Sequence, residues 1–238
     1  MNEQIKSCVE FEKALKKFQK EFRKQNLDNL KGVDLCYKWK WSSELLQSRI
    51  IDILNYDSIS SNNDSGFVSF NKKSVINELK YAHRKYRSGA MLTCMESNYE
   101  DDDTVHIDTF VIYIIKDFIY EFIAKNPDKL DEFFDYCKLM LRHEFGHCLN
   151  FMTYIGMSYK DFLFYRKEVA SKYDLQTLNE IQNMENSRKK MSRSSLLMID
   201  GIPMHYLMFN EIAANKKAGF TQEELKRFYD YSDLFAVM

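Results

Sequence analysis

The sequence predicts an α+β fold: a small sheet in the N-terminal half, then a mainly helical C-terminal half. Three observations carry this expectation. Val33, Leu35, Tyr37, Trp39 and Trp41 alternate with mostly polar residues, the period of two that marks a strand. Shorter strand-like pieces follow at 67–70 and 91–95, and the pattern after residue 108 reads as helix. Strands segregated from helices along the chain belong to α+β architecture, whereas strict alternation would have indicated a parallel α/β sheet.

Residues 3–26 read as a charged amphipathic helix with Ile5, Val9, Leu15, Phe18 and Phe22 on its apolar stripe. Gly32 ends this region and the strand over 33–41 follows. Ser42 or Ser43 caps a helix expected over 43–56. A polar loop, 57–66, contains SISSNNDSG, and 74–87 forms another helix whose His83 lies among Lys80, Arg84 and Lys85 as a solvated residue. The strand at 91–95, the acidic run from Glu100 to Asp103, and Val105 with Ile107 read as a hairpin-like arrangement. That run lacks the alternating ligand spacing and closing glutamate of a calcium loop, and so reads as a solvated tip.

Asp108 or Thr109 is expected to cap a helix to about Ala124, apolar on most faces and hence buried. Asn126-Pro127 interrupts it, and Pro127 suits the start of the next helix, which ends near Gly156. Ser158 to Lys190 reads as one or two charged helices opened by a capping box of Ser158 and Asp161. After an irregular stretch over 192–204, a helix runs through His205 and Glu211 to Ala218, with Gly219 as its C-terminal cap. Thr221 and Glu224 form a capping box for the last helix.

Composition narrows the function classes. The 238 residues include 34 Lys and Arg against 35 Asp and Glu, so the net charge of −1 gives no electrostatic case for nucleic-acid binding. A hydrophobic fraction of 45% suffices for a core without disulfides. The five cysteines are scattered and contain no C-x-x-C pair, which argues against a disulfide framework or a cysteine zinc knuckle and for a reducing compartment. The first residues lack the apolar core of a secretory signal, and the most apolar window, 110–115, is broken by Lys116 and Asp117. The expectation is a cytoplasmic protein with no membrane span.

The chemistry concentrates in His143-Glu144-Phe145-Gly146-His147. Two histidines four apart on a helix project from nearly the same face, so both imidazoles reach one metal ion, while the intervening glutamate can work on a water there. The flanks from Asp131 to Met152 contain no proline, and Gly146 is expected to allow a close approach of another helix. A catalytic zinc usually takes three protein ligands. A third histidine in the extended H-E-x-x-H-x-x-G-x-x-H pattern is excluded, because Asn150 and Thr153 occupy the glycine and histidine positions. Glu211, His205, His106 and Asp161 stand as candidates. His205, six residues before Glu211, faces away from it on a regular helix. His106 has no partner motif, and Cys148 reads as core.

The segment Asn210-Glu211-Ile212-Ala213-Ala214-Asn215-Lys216-Lys217-Ala218 resembles the glutamate helix of the gluzincin branch of zincin metallopeptidases. Those proteins pair HExxH with a later NExxSD or ExxADxxA motif, which Asn210, Glu211, Ala214 and Ala218 match in part. The resemblance covers the two helices and their order, about a third of the chain. It implies a peptidase using zinc (Zn2+), with His143, His147 and Glu211 as ligands and Glu144 as general base acting on a peptide or protein substrate. It also implies a zincin-like fold with a twisted sheet and a buried backing helix before the motif. An extended peptide would then pair with the sheet's edge strand. Asn215 stands where the family has an aspartate that orients a ligand histidine, which lowers the expected ligand basicity. His205 is a candidate oxyanion stabiliser at the cleft rim. Residues 1–88 then form an N-terminal extension with part of the sheet and 89–238 the metallopeptidase domain, or the two form one continuous domain. The alternative is a catalytically weak zincin-fold binding protein, such as a phage or host-interaction component, for which Asn215 and the N-terminal extension argue.

Overall fold

The computed structural model describes residues 3–47, 91–96, 104–158, 161, 164, 198–199, 202–203 and 209–236. Helix α1 (Glu3–Asn26) leads through a short 3-10 turn at Leu27–Leu30 into strand β1 (Asp34–Lys40). Strand β2 (Met91–Glu96) and strand β3 (Thr109–Ile115) complete a three-stranded sheet in the order β1-β3-β2. β1 runs parallel to β3, with Asp34 opposite Thr109 and Lys40 opposite Ile115. β2 is antiparallel to β3, with Met91 opposite Ile114 and Glu96 opposite Thr109. Helix α2 (Lys116–Lys125) follows β3 directly, and helix α3 (Leu130–Phe151) carries the HEFGH segment. Beyond it come two-residue strands β4 (Met198–Ile199) and β5 (Ile202–Pro203), which pair antiparallel, then helices α4 (Phe209–Ala218) and α5 (Gln222–Ala236). The architecture is α+β.

The centre of the sheet corrects one expectation. Residues 109–115, read from the sequence as the start of a buried helix capped by Asp108 or Thr109, are the middle strand. Helix begins only at Lys116. The physical reason lies in TFVIYII, an apolar run without amphipathic period, which suits a strand covered on both faces as well as a buried helix. Phe110, Val111, Ile112, Ile114 and Ile115 are all buried, on alternate sides of the strand. Its β-branched and aromatic content decides for strand. β3 is also the antiparallel partner of 91–96, in place of Val105 and Ile107. Those two are buried in a coil, where Val105 exchanges backbone hydrogen bonds with Met157 and Gly156. Strand structure therefore does occur after residue 108, in β3 and in the β4–β5 pair.

α1 is the amphipathic helix anticipated, with a shifted face. Phe11 and Leu15 are buried and Cys8, Phe18 and Phe22 pack against the core, whereas Val9 is 42% exposed. Spacings of three and four along 8, 11, 15, 18 and 22 define the buried stripe, and Val9 lies one residue off it. The helix packs across α3: Phe11 stacks on Phe133 with ring centroids 5.3 Å apart, and Phe22 meets Phe145 edge-on at 5.4 Å. Trp39 Nε1 donates to Gln19 Oε1 at 3.2 Å, and the Tyr120 hydroxyl donates to Glu12, tying the helix to β1 and α2. Trp41 lies just beyond β1 and is exposed. β1, from before residue 88, and β3, from after it, share this sheet and its core.

The helix boundaries follow their sequence signals. Pro127–Lys129 forms a 3-10 turn leading into α3. The Thr221 N–H donates to Glu224 Oε2 at 3.0 Å while the Glu224 N–H donates to Thr221 Oγ1 at 3.2 Å, the reciprocal bonds of a capping box. Ser158 and Asp161 make a similar pair, with Asp161 N–H to Ser158 Oγ at 3.0 Å. Gly219 at φ +66° stops α4 in the left-handed region that glycine favours. The helices expected at 74–87 and through 159–190, most of the one at 43–56, the 57–66 loop and the strand at 67–70 lie outside the described residues. Residues 42–47 are helical.

Phe133 is the hub of the core. It is fully buried, stacks on Phe122 at 3.9 Å, and touches Phe11, Phe118 and Tyr136. Replacing it with alanine removes the ring that joins α1, α2 and α3. Phe133→Ala is expected to cost about 3–5 kcal/mol, read as a fall in the urea midpoint at unchanged slope.

Candidate metal centre

α3 and α4 are brought together by the absence of a side chain. A Cβ built on Gly146 would lie 2.1 Å from the carbonyl oxygen of Ala214 and 3.1 Å from the Ala218 nitrogen, so α4's backbone occupies the space of a side chain. Ala214 is fully buried against it. The close approach that Gly146 was expected to allow is thus between two helix backbones.

Arg142, beside the motif, fastens the same pair of helices from their ends. Its Nη1 donates to Glu224 Oε1 at 2.5 Å, and its Nη2 lies 3.4 Å and 3.3 Å from the carbonyl oxygens of Ala218 and Gly219. Those carbonyls end α4, where a cation satisfies acceptors that the helix cannot. The guanidinium also lies over the Phe220 ring, 4.8 Å from its centroid. Arg142 in turn holds the Glu224 carboxyl below the usual carboxylate range.

This packing delivers three ligand atoms to one point. His143 Nε2 lies 2.9 Å from Glu211 Oε2, His147 Nε2 lies 3.3 Å from the same oxygen, and the two imidazole nitrogens are 3.2 Å apart. A tetrahedral ion with ligands at about 2.0–2.1 Å has ligand–ligand edges of roughly 3.3 Å. The observed triangle fits that size. Burial pushes the Glu211 carboxyl up, but hydrogen bonds and charge from His143 and His147 outweigh it and hold the group well below the ordinary range. Glu211 therefore presents an anionic oxygen to the two nitrogens.

The far side of His143 is equally defined. Its Nδ1 lies 2.8 Å from Asn215 Oδ1, and Asn215 Nδ2 donates to the Tyr229 hydroxyl at 3.2 Å. Glu211 and Asn215 are four residues apart on α4, so one helical face supplies both the oxygen near Nε2 and the acceptor behind Nδ1. The His143 ring, 2% exposed, stacks on Phe228 at 5.2 Å. Such an arrangement fixes the ring's orientation and leaves Nε2 for a cation.

No family model, curated protein or solved structure matches the chain.

The structure brings His143, His147 and Glu211 together as a group able to hold a metal ion, with Asn215 on the first histidine. Glu144 follows His143 on α3 and is 7% exposed. Two rival ligands are elsewhere. His106 is exposed, with Nε2 2.9 Å from Thr104 Oγ1, and Asp161 is the exposed partner of Ser158. Cys148 is buried core, its thiol directed to the Glu144 carbonyl at 3.5 Å. His205 lies outside the described residues. Sequence reading missed Arg142, Phe228 and Tyr229. The Thr221–Glu224 capping box was a signal that Glu224 would be fixed, and Arg142 is its partner. Nothing local marks Tyr229.

Gly146→Ala tests the backbone contact by its sign. In an open helix that change stabilises by roughly 0.5–1 kcal/mol. Here the helices must part by about 1 Å to admit the methyl group, at a cost of about 1–3 kcal/mol. The expected results are a lower melting temperature and at least about tenfold weaker binding of a divalent metal ion by competition with a chelator. A stabilised variant with unchanged metal affinity would contradict the contact.

Proposed function

We propose that the chain is a zinc-dependent metallopeptidase of the gluzincin kind, with His143, His147 and Glu211 as metal ligands and Glu144 as general base. The convergence of the two Nε2 atoms and Glu211 Oε2 is the observation that supports it most. Two imidazoles and one carboxylate are a donor set that suits zinc, and three protein ligands leave coordination open for the reaction. A zincin-like fold, with the sheet before the motif helix and the glutamate helix after it, belongs to the same proposal.

A bound zinc ion supplies Lewis acidity, bringing the pKa of water towards neutrality and polarising a carbonyl. The remaining work falls to the chain. Glu144 takes the proton of the attacking water and returns it to the amine that leaves. Asn215 and Phe228 hold the His143 ring so that Nε2 keeps its direction. Among the described residues β2 lies at the sheet edge and against α3, so an extended peptide adding to it would run past the site. The substrate class is accordingly a peptide or unfolded protein segment.

Asn215 favours a second reading, a zincin-shaped binding protein that keeps the metal without useful turnover. A neutral amide raises the basicity of its histidine less than a carboxylate does.

Metal content and cleavage of a denatured protein mixture separate the two. Wild type is expected to carry about one zinc per chain, lost in His143→Ala and in Glu211→Ala. Glu144→Gln should keep zinc while cleavage falls about 10²–10⁴-fold. Zinc without cleavage in wild type would favour the binding protein, and a wild type that takes up no zinc would contradict both.

A further inference from the structure

The two long faces of α1 differ sharply in chemistry. Phe11 and Leu15 are buried and Phe18 and Phe22 pack against the core, so the apolar stripe is used up inside the fold. On the opposite side Lys13, Lys17, Lys20 and Lys24 are all exposed. Given the helical rotation per residue, they fall within about 60° of arc and span about 16 Å along the axis. Val9, 42% exposed, continues the same line one turn toward the N-terminus. Lys16 and Arg23, beside the row, pair with Glu12 and Asp34, whereas among the described residues the lysines of the row are in no ion pair.

Helix stability does not explain the row. Successive members are three or four residues apart, where like charges are neighbours and destabilise a helix. The chain as a whole has a net charge of −1, so the row is a local concentration of positive charge. What it complements is an anionic surface. Glu10 and Glu21 are exposed along one flank of the row. A nucleic-acid strand that wraps the helix would meet those carboxylates, whereas a flat surface touches the crest alone. Val9 adds nothing to phosphate recognition by a nucleic-acid binder, but at a bilayer it can enter the headgroup layer, with the lysine stems lying along it and their ammonium groups at the phosphates.

We propose that the outer face of α1 docks on a bilayer surface bearing anionic lipid headgroups, with the lysine row along the surface and Val9 at its end. The helix lies on the membrane without inserting, because its apolar stripe is held against α3, and no described helix is long and apolar enough to cross. The contact is electrostatic and reversible, each lysine near the surface raising the partition coefficient about fivefold. It concerns where the chain sits and is independent of what the metal centre does.

The test is co-sedimentation of the full chain with lipid vesicles. Wild type is expected to sediment with vesicles of phosphatidylcholine containing about one-third phosphatidylserine, and not with phosphatidylcholine alone. That binding should vanish in about 1 M salt, where charges are screened beyond roughly 3 Å. The double variant Lys17→Glu/Lys20→Glu is expected to lower the partition coefficient at least about 25-fold. Lys125→Glu/Lys226→Glu makes the same change in net charge on α2 and α5, and is expected to lower it less than about threefold. Melting temperatures of the variants check that each is folded, since these side chains are exposed. Three results would overturn the inference: no sedimentation with the anionic vesicles, equal losses in the two double variants, or binding of an oligonucleotide without binding of vesicles.

Discussion

The carbonyl of Ala214 occupies the place where a side chain at position 146 would begin, 2.1 Å from the point where its Cβ would lie. Helices with ordinary side chains at the contact stand 8–10 Å apart, so a glycine at the crossing lets α3 and α4 come closer. Glu211 is three residues before Ala214 and Asn215 one after it. The contact therefore sets how near the Glu211 carboxylate and the Asn215 amide come to His143. Everything on the α4 side of the site inherits its position from this approach, and Arg142 keeps the ends of α4 and α5 from turning away from it.

The remainder of the core keeps the α3 side still. α3 is buried along much of its length, against the sheet and under α1, with Phe133 and Phe145 inside the aromatic packing. His143 and Glu144 are buried polar groups in that helix. Burying them costs free energy unless they are hydrogen-bonded or paired, so their placement is explained by partners and not by hydrophobicity. For His143 those partners are Asn215 on one ring nitrogen and Glu211 on the other. An enclosed carboxylate facing two imidazoles is stabilised further when a cation joins them, which couples metal binding to the packing of α3 on α4.

Which parts of this were legible in the sequence depends on how local each signal is. HEFGH and the later Glu211–Asn215 pair are helical spacings, readable because i and i+4 share a face wherever the helix lies. The capping box at Thr221 is likewise local and makes both its bonds, and at Ser158 the hydroxyl takes the Asp161 N–H. TFVIYII misled because an apolar run without polar residues has no period to read, and its place as the middle strand depends on β1 and β2 covering its edges. Val9 was placed on the buried face, whereas Cys8 and Phe11 lie there, Phe11 against the rings of Phe133 and Phe134. Arg142 and Tyr229 were invisible for a different reason. Their partners lie 82 and 14 residues away: α3 meeting the start of α5 brings Arg142 to Glu224, and α5 folding back on α4 brings Tyr229 to Asn215.

The most direct measurement of the central claim is the position of a bound ion in crystals of the full chain grown with zinc, located by anomalous scattering at the zinc edge. One strong peak is expected within about 2.0–2.2 Å of His143 Nε2, His147 Nε2 and a Glu211 oxygen, with Asn215 Oδ1 still on His143 Nδ1. A peak bound by other residues, or zinc held by the two histidines with Glu211 turned away, would contradict it.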